Sequence, residues 1–339
     1  MKQIHICVQG LWGSFIEKDP VYKILKKNYE VVLHDNPDEA DYLICSLLDT
    51  PYEYCKFDKI RILYSGENYI PDFNLIDYGI SSYPLKLGDR HMHMPRCICN
   101  HFLQLAEMDR SKAREVLANK KYFANFIAGH ESEFSIRGDF FKKIEREYKR
   151  VESPGTYLNN MPNGETVQWT NESKRQFQSQ CKFTLCFEST KHEGFITEKI
   201  TDAFWSNTIP VYYGSSDIKQ IFNPKAFIDC SDFSSFDEVI EKIKELDQDD
   251  EKYIAMLSEP ILQDSHFLEN KMIELEKFLC NIFDQPIESA YRRSRVYIPK
   301  NIESYILHRK DNYAIIRTMP LKELIRAYFS RVKYKLKRK

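Results

Sequence analysis

Glycine is scarce in this sequence, 11 of 339 residues. None of them builds G-x-G-x-x-G or G-x-x-x-x-G-K-[ST], so the phosphate loops of dehydrogenases and P-loop enzymes are absent. G-x-S-x-G is missing too, which removes the nucleophile elbow of an α/β-hydrolase. Glycine and proline are both too few, 11 and 14, for a collagen-like or low-complexity chain. No run of about 18 apolar residues occurs, so no membrane-spanning helix is expected. The opening stretch, MKQIHICVQGLW, has neither an apolar core of about 7–15 residues nor a small-residue cleavage site, and no signal peptide is expected.

Charge of one sign does not dominate either: 49 Lys and Arg face 50 Asp and Glu. The balance is uneven along the chain. Leu321 to Lys339 carry eight basic residues and one Glu, which leaves an acidic body that is a poor nonspecific partner for nucleic acid. The nine cysteines are odd in number and form no C-x2-C pair. Cys97-Ile98-Cys99, with His91 and His93 upstream, is spaced too tightly for a closed zinc site. Reduced, buried thiols of a cytosolic chain are expected. Asp247-Gln248-Asp249 has the form of a metal-binding D-x-D, but its Lys- and Glu-rich surroundings predict a solvated helix end. No metal site is expected.

What is present is ordinary globular material, 42% apolar and 29% charged, long enough for two domains at roughly 150 residues each. Apolar runs at 3–8, 29–34, 42–47 and 60–64 read as strands, with a helix over Val21–Lys27. A second series follows: strands at 123–128, 149–152, 182–187 and 208–214, and helices over Arg137–Tyr148, Thr197–Trp205 and Phe236–Leu246. A helix over Ser111–Lys120 separates the two. The expectation is an α/β protein with two Rossmann-like domains facing a cleft, residues 1–120 and 121–310, followed by a basic tail at 311–339.

Chemistry concentrates in two segments. Lys182 to Gly214 reads as strand, polar loop, helix and strand, with Thr197 as N-cap and Glu198 and Lys199 in the first turn. That helix end offers N–H groups and a positive dipole to a phosphate. Lys199 is out of place there unless an anion arrives; an ordinary capped helix with one solvated Lys is the competing reading. Tyr64 to Tyr78 runs from an apolar strand into Ser65-Gly66-Glu67-Asn68. A carboxylate just past a strand end, beside a glycine that admits a ligand, suits a general base. On local features alone, a turn carboxylate bonded to its neighbours' N–H groups is the simpler reading of Glu67.

Together these segments resemble the α-1,3/4-fucosyltransferases, the glycosyltransferase family 10 enzymes of the Lewis-antigen type. The resemblance rests on Lys182-Phe183, Phe187-Glu188-Ser189-Thr190, Phe195-Ile196-Thr197-Glu198-Lys199-Ile200, Asp202-Ala203-Phe204 and Pro210-Val211-Tyr212-Tyr213-Gly214. It continues in Ser65-Gly66-Glu67-Asn68, Pro71-Asp72-Phe73-Asn74, Asp77-Tyr78, Asp89-Arg90, Met94-Pro95 and Phe222-Asn223-Pro224-Lys225-Ala226-Phe227. It covers roughly residues 1–280 and is closer to the bacterial members.

The resemblance implies the GT-B architecture and an inverting transfer of L-fucose from GDP-fucose to a GlcNAc- or Glc-containing acceptor glycan. No cofactor or divalent metal is essential in it. It implies Glu67 as base, Glu198 as the carboxylate that stabilises the fucosyl cation, and Lys199 and Arg137 on the diphosphate. Ser189 and Phe195 match donor-site positions. Ser189 stands where the family usually has Asn and Phe195 where it often has Tyr, so the first loses an amide and the second a hydroxyl. Read from chemistry alone, Glu188 is a second carboxylate for the cationic sugar. Asn160 is either a donor contact or a turn residue. Trp12 and Gly13, after the first strand, are either part of an acceptor platform or core. A different sugar-nucleotide transferase and a noncatalytic glycan-binding protein are the other readings of the same scaffold.

In the tail, Leu321, Leu324, Ile325, Tyr328, Val332 and Leu336 follow helical spacing with Lys and Arg between them. This predicts a basic amphipathic helix for an anionic membrane surface, or one packed on the body. The expected setting is the bacterial cytoplasm, peripheral to the inner membrane face.

Overall fold

A computed structural model describes residues 1–11, 19–47, 52–98, 105, 107–131, 136–294, 300–301, 303–306 and 308. Trp12, Gly13, Cys99 and the tail expected at 311–339 lie outside the described residues.

Two parallel sheets organise the described chain. The first holds β1 (Gln3–Gln9), β2 (Glu30–His34), β3 (Tyr42–Cys45), β4 (Ile60–Ser65), β5 (Tyr78–Ser81) and β6 (His91–His93), in the order β2-β1-β3-β4-β5-β6. The second holds β7 (Tyr122–Asn125), β8 (Val151–Glu152), β9 (Cys181–Phe187), β10 (Ile209–Tyr213) and β11 (Ile228–Asp229), in the order β11-β10-β9-β7-β8. Every pairing is parallel; Ile6 lies opposite Tyr42 and Tyr213 opposite Phe187. All residues of β3 and β4 are buried, as expected of strands covered on both faces. The α/β doubly wound expectation holds.

The described helices are α1 (Pro20–Asn28), α2 (Ala113–Ala118), α3 (Arg137–Glu147), α4 (Asn171–Gln178), α5 (Glu198–Trp205), α6 (Phe236–Gln248), α7 (Asp250–Ser258), α8 (Phe267–Asp284) and α9 (Ile287–Ala290). Local chemistry sets their starts. Asp19 caps α1 by accepting from Val21 N at 2.8 Å, ahead of Pro20 in the first turn. Ser235 caps α6 in the same way, and Val239, Ile240, Ile243 and Leu246 form its buried face.

Three differences from the sequence reading bear on the frame of the molecule. The strand expected over 123–128 stops at Asn125, and residues 126–128 continue as loop. Asp247 is not solvated: its carboxylate is 4% exposed and binds Lys149 and Lys182. The third difference is α8, which has no side-chain N-cap to announce it. It crosses back to the first sheet, where Lys2 Nζ donates to Phe283 O at 2.6 Å and Tyr29 OH to Asp284 at 2.8 Å. Leu275, Leu279, Ile282 and Phe283 share a core with Ile4, Ile6, Tyr29 and Tyr42. The sequence division at 121–310 groups this segment with the second sheet, whereas its contacts lie against the first.

A buried carboxylate fastens the return. Asp77 is fully buried and accepts from the backbone N–H groups of Arg61, Arg292 and Arg293 at 2.7, 2.8 and 2.8 Å. Asp77→Ala leaves those donors unmatched and removes the buried one of the two carboxylates beside the Arg293 guanidinium. Breaking such a network costs about 3 kcal/mol or more. Urea unfolding checks this; a variant within about 0.5 kcal/mol of the parent, the range of inert surface changes, contradicts it.

Candidate active site

The second sheet reverses its order of addition between β7 and β9, since β8 lies on one side of β7 and β9 on the other. Ligands of open parallel sheets bind beyond the carboxyl ends of the strands at such a point. A cavity of about 670 Å³ lies there, within the range of small-molecule sites. Its wall includes Phe126 to His130 after β7, Ser189 after β9, and Thr197 to Lys199 at the start of α5. Arg137, Phe195, Trp169, Lys174 and Asp202 line it as well, and Glu67 and Arg96 reach it from the first sheet's half.

Thr197 caps α5, as its sequence position predicts. Beneath the cap lies Glu188, 1% exposed. Its Oε1 accepts from Thr197 N at 2.8 Å and its Oε2 from Lys199 Nζ at 2.9 Å; Thr197 Oγ1 lies within 3.0 Å of both. Lys199 Nζ also donates to Thr197 Oγ1 at 2.9 Å. Expected as a donor contact, Glu188 is not among the residues that line the cavity; it lies behind Thr197 and Lys199. Its oxygens are taken by the cap and the ammonium, so it orients Lys199.

Burial alone pulls the Lys199 pKa down, but the Glu188 and Glu198 carboxylates outweigh it and leave it above the ordinary value. Burial pushes Glu198 up, while Lys199 and Arg96 bring it below the ordinary carboxylate range. Both groups are therefore charged at neutral pH. Arg137, the first residue of α3, is 5% exposed and donates to His130 O. Its burial draws its pKa down, opposed by Tyr157 and Glu188.

Asn160 stands apart. Its amide donates to Glu145 Oε1 at 3.0 Å and Val151 O at 2.8 Å, and its Oδ1 accepts from Ser153 N at 2.9 Å. It closes the turn after β8, as the turn reading has it, and is not among the residues that line the cavity. Gly66 does not stand open to a ligand: a Cβ there comes within 3.0 Å of Arg96 Cγ. Three cavity residues are not among the expected site residues: Arg96, Trp169 and Asp202, the last noted only as part of the Asp202-Ala203-Phe204 stretch. Arg96 directly follows the Met94-Pro95 pair. Trp169 is 55% exposed at the rim, where an added Cβ on Gly129 meets its ring at 3.2 Å. Asp202 is held by Arg175 Nε at 2.8 Å.

The halves touch along one edge of the site. Asn68 Nδ2 donates to Thr190 Oγ1 at 2.7 Å, Cys97 N to Ile196 O at 2.9 Å, and the Tyr83 and His192 rings lie 3.9 Å apart. Gly194 holds φ at +80°, and a side chain there runs into the Ser82 carbonyl.

Two Rossmann-like sheets, a helix N-terminus with Lys and Arg at the second, and a carboxylate offered by the first define a GT-B glycosyltransferase scaffold. Residues 117–291 match the glycosyltransferase family 10 (fucosyltransferase) C-terminal domain, and residues 9–99 the N-terminal domain of alpha-(1,3)-fucosyltransferase FucT. The chain belongs to glycosyltransferase family 10. It is 31% identical over 293 residues to the alpha-(1,3)-fucosyltransferase FucT of Helicobacter pylori; the match takes in 76% of this chain and 60% of that protein. It is also similar to a crystal structure of an alpha1,3-fucosyltransferase, at 28% identity and TM-score 0.71, over 88% of this chain and 93% of the other. A structure of alpha1,3-fucosyltransferase with GDP-fucose gives 27% identity and TM-score 0.64, over 82% and 91%.

Lys199 and the α5 N-terminus suit a diphosphate. Charge-assisted bonds of this kind contribute about 1.5–3 kcal/mol each. Lys199→Ala should therefore weaken binding of inorganic pyrophosphate about tenfold or more. Glu188→Gln, which leaves the wall intact, should weaken it less. Calorimetry checks both, and unchanged affinity in Lys199→Ala contradicts the assignment.

Proposed function

We propose that this chain transfers L-fucose from GDP-fucose to a hydroxyl of a GlcNAc- or Glc-containing glycan, with inversion, giving an α-1,3 or α-1,4 fucoside. The observation that carries the reading is the opposition of Glu67 to Lys199 and Arg137 across one cavity in a family 10 chain. The solved GDP-fucose complex of a similar fold supports the choice of donor.

In this reading the diphosphate lies at the α5 N-terminus against Lys199 and Arg137. The bond from fucose C1 to the diphosphate oxygen breaks, and GDP leaves with the electron pair. Fixed cations and N–H groups stabilise the charge that develops there. Glu198, held ionised, faces the oxocarbenium-like sugar. The acceptor oxygen attacks C1 from the opposite side as its proton passes to Glu67. The two cations serve the leaving group without a divalent metal. Glycans of the Lewis-antigen type on lipopolysaccharide O-antigen, in a bacterial cytoplasm, are the setting this implies. The basic residues of 321–339 suit an anionic membrane face as a partner. No described helix is long and apolar enough to cross a membrane.

Mass spectrometry of products from GDP-fucose with lactose, LacNAc and type 1 acceptors tests the activity. A mass gain of one deoxyhexose on at least one acceptor, retained within a few-fold in excess EDTA, is expected. Loss in EDTA that Mn²⁺ restores contradicts metal independence.

Glu67→Gln preserves shape and removes basicity. It should lower kcat by about 10²–10⁴, the usual worth of a general base, with GDP-fucose affinity nearly unchanged. Normal turnover in Glu67→Gln alongside an inactive Glu198→Gln places the base on the other half.

A further inference from the structure

Arg96 opens a short 3-10 turn, Arg96–Ile98. Its Nη1 donates to Glu67 Oε1, and its Nε lies 3.3 Å from Glu198 Oε2. One side chain thus joins two of the three carboxylates that line the cavity, Glu67 and Glu198, one from each half of the molecule. The turn is itself fixed across the cleft, because Cys97 N donates to Ile196 O just ahead of α5. The stem of Arg96 crosses the Cα of Gly66, where any side chain would crowd it.

The need for such a residue is physical. Two carboxylates facing one cavity repel each other, and Glu67 follows a turn with three side-chain torsions of its own. Its backbone N–H bonds Ser65 Oγ at 3.2 Å, but among the described residues only Arg96 holds its carboxylate. A guanidinium on one oxygen fixes the plane of the carboxylate and leaves the other oxygen to accept a proton.

We propose that Arg96 is a positioning residue for the transfer reaction, holding Glu67 by Oε1, aiming Oε2 at the acceptor hydroxyl and tying that geometry to Glu198 on the donor side. The inference rests on the fucosyltransferase reading. The proton that Glu67 accepts is the acceptor's own; Arg96 keeps its protons throughout.

The groups facing Glu198 are Arg96 from the first half, Lys174 from α4, and Lys199 and Asp202 from its own helix. Glu67 faces Arg96. Removing Arg96 takes away one of the cations that keep Glu198 ionised, so the acidic limb of the rate profile moves to higher pH.

The test compares the parent chain with Arg96→Met, Arg96→Lys, Glu67→Gln and the double variant Arg96→Met/Glu67→Gln, using GDP-fucose and an acceptor that the parent accepts. Arg96→Met should lower kcat about 10–100-fold, the loss typical of a misplaced catalytic group, and shift the acidic limb upward. GDP affinity by calorimetry should stay near that of the parent. Arg96→Lys, which keeps the charge without the fork, should give an intermediate kcat with the limb near its original position. On the pH plateau, above the acidic limb of both variants, the double variant should be no slower than Glu67→Gln alone, because there Arg96 acts through Glu67. Multiplying losses in the double variant on that plateau overturn the proposal. So does a kcat loss with an unmoved limb and a matching loss of GDP affinity, which makes Arg96 a donor ligand. Parental kcat in Arg96→Met overturns it while the fucosyltransferase reading stands. A parent chain that transfers no fucose fails that reading first.

Discussion

The Glu188 carboxylate sits 1% exposed at the end of β9, and a buried carboxylate left unmatched costs several kcal/mol. The molecule matches it from one direction. Thr197 brings its N–H and hydroxyl, and Lys199 its ammonium, all from the start of α5. That demand fixes where α5 begins and how it meets the sheet. It also resolves the oddity of a lysine in a first helical turn, where the macrodipole opposes a cation. The ammonium has a carboxylate below it and keeps one face toward the cavity, so an anion meets a cation that is already oriented.

From this point the rest of the site follows. With α5 fixed, Glu198 is directed at the opening between the halves and meets Arg96 there. The segment before α5 bonds the turn that carries Arg96, and the loop before that segment carries Gly194 against Ser82. The contacts described between halves therefore lie at the edge of the cavity that Glu67 and Glu198 line. A shift of one half against the other is felt first by Glu67 and Glu198.

The legible parts of the sequence were those with a local signature. β3, β4 and β9 are covered on both faces and read as continuous apolar runs. The cap at Thr197 and the strand-to-turn step at Ser65-Gly66 are visible without tertiary knowledge. β5 and β6, YGIS and HMH, are too short and too mixed to stand out. Glu188 and Asn160 show the limit at the site. Each has the residue type a donor contact needs, but hydrogen bonds from within the second half engage both. Arg96 shows the converse: an arginine after a proline has no pattern of its own, and its meaning comes from two carboxylates 29 and 102 positions away.

The return of α8 to the first sheet has a bearing on how this scaffold can be recombined. The half that offers Glu67 is assembled from both ends of the described chain: its sheet comes from residues 3–93, and its closing layer from Phe267 to Arg293, pinned by Asp77. A graft that exchanges only the leading segment separates Asp77 from Arg292 and Arg293 and strips α8 of the surface it covers. Chimaeras that trade first-sheet halves between relatives need two splice junctions, one near α2 and one ahead of α8, so that the insert is the second-sheet half and the host keeps both of its own ends.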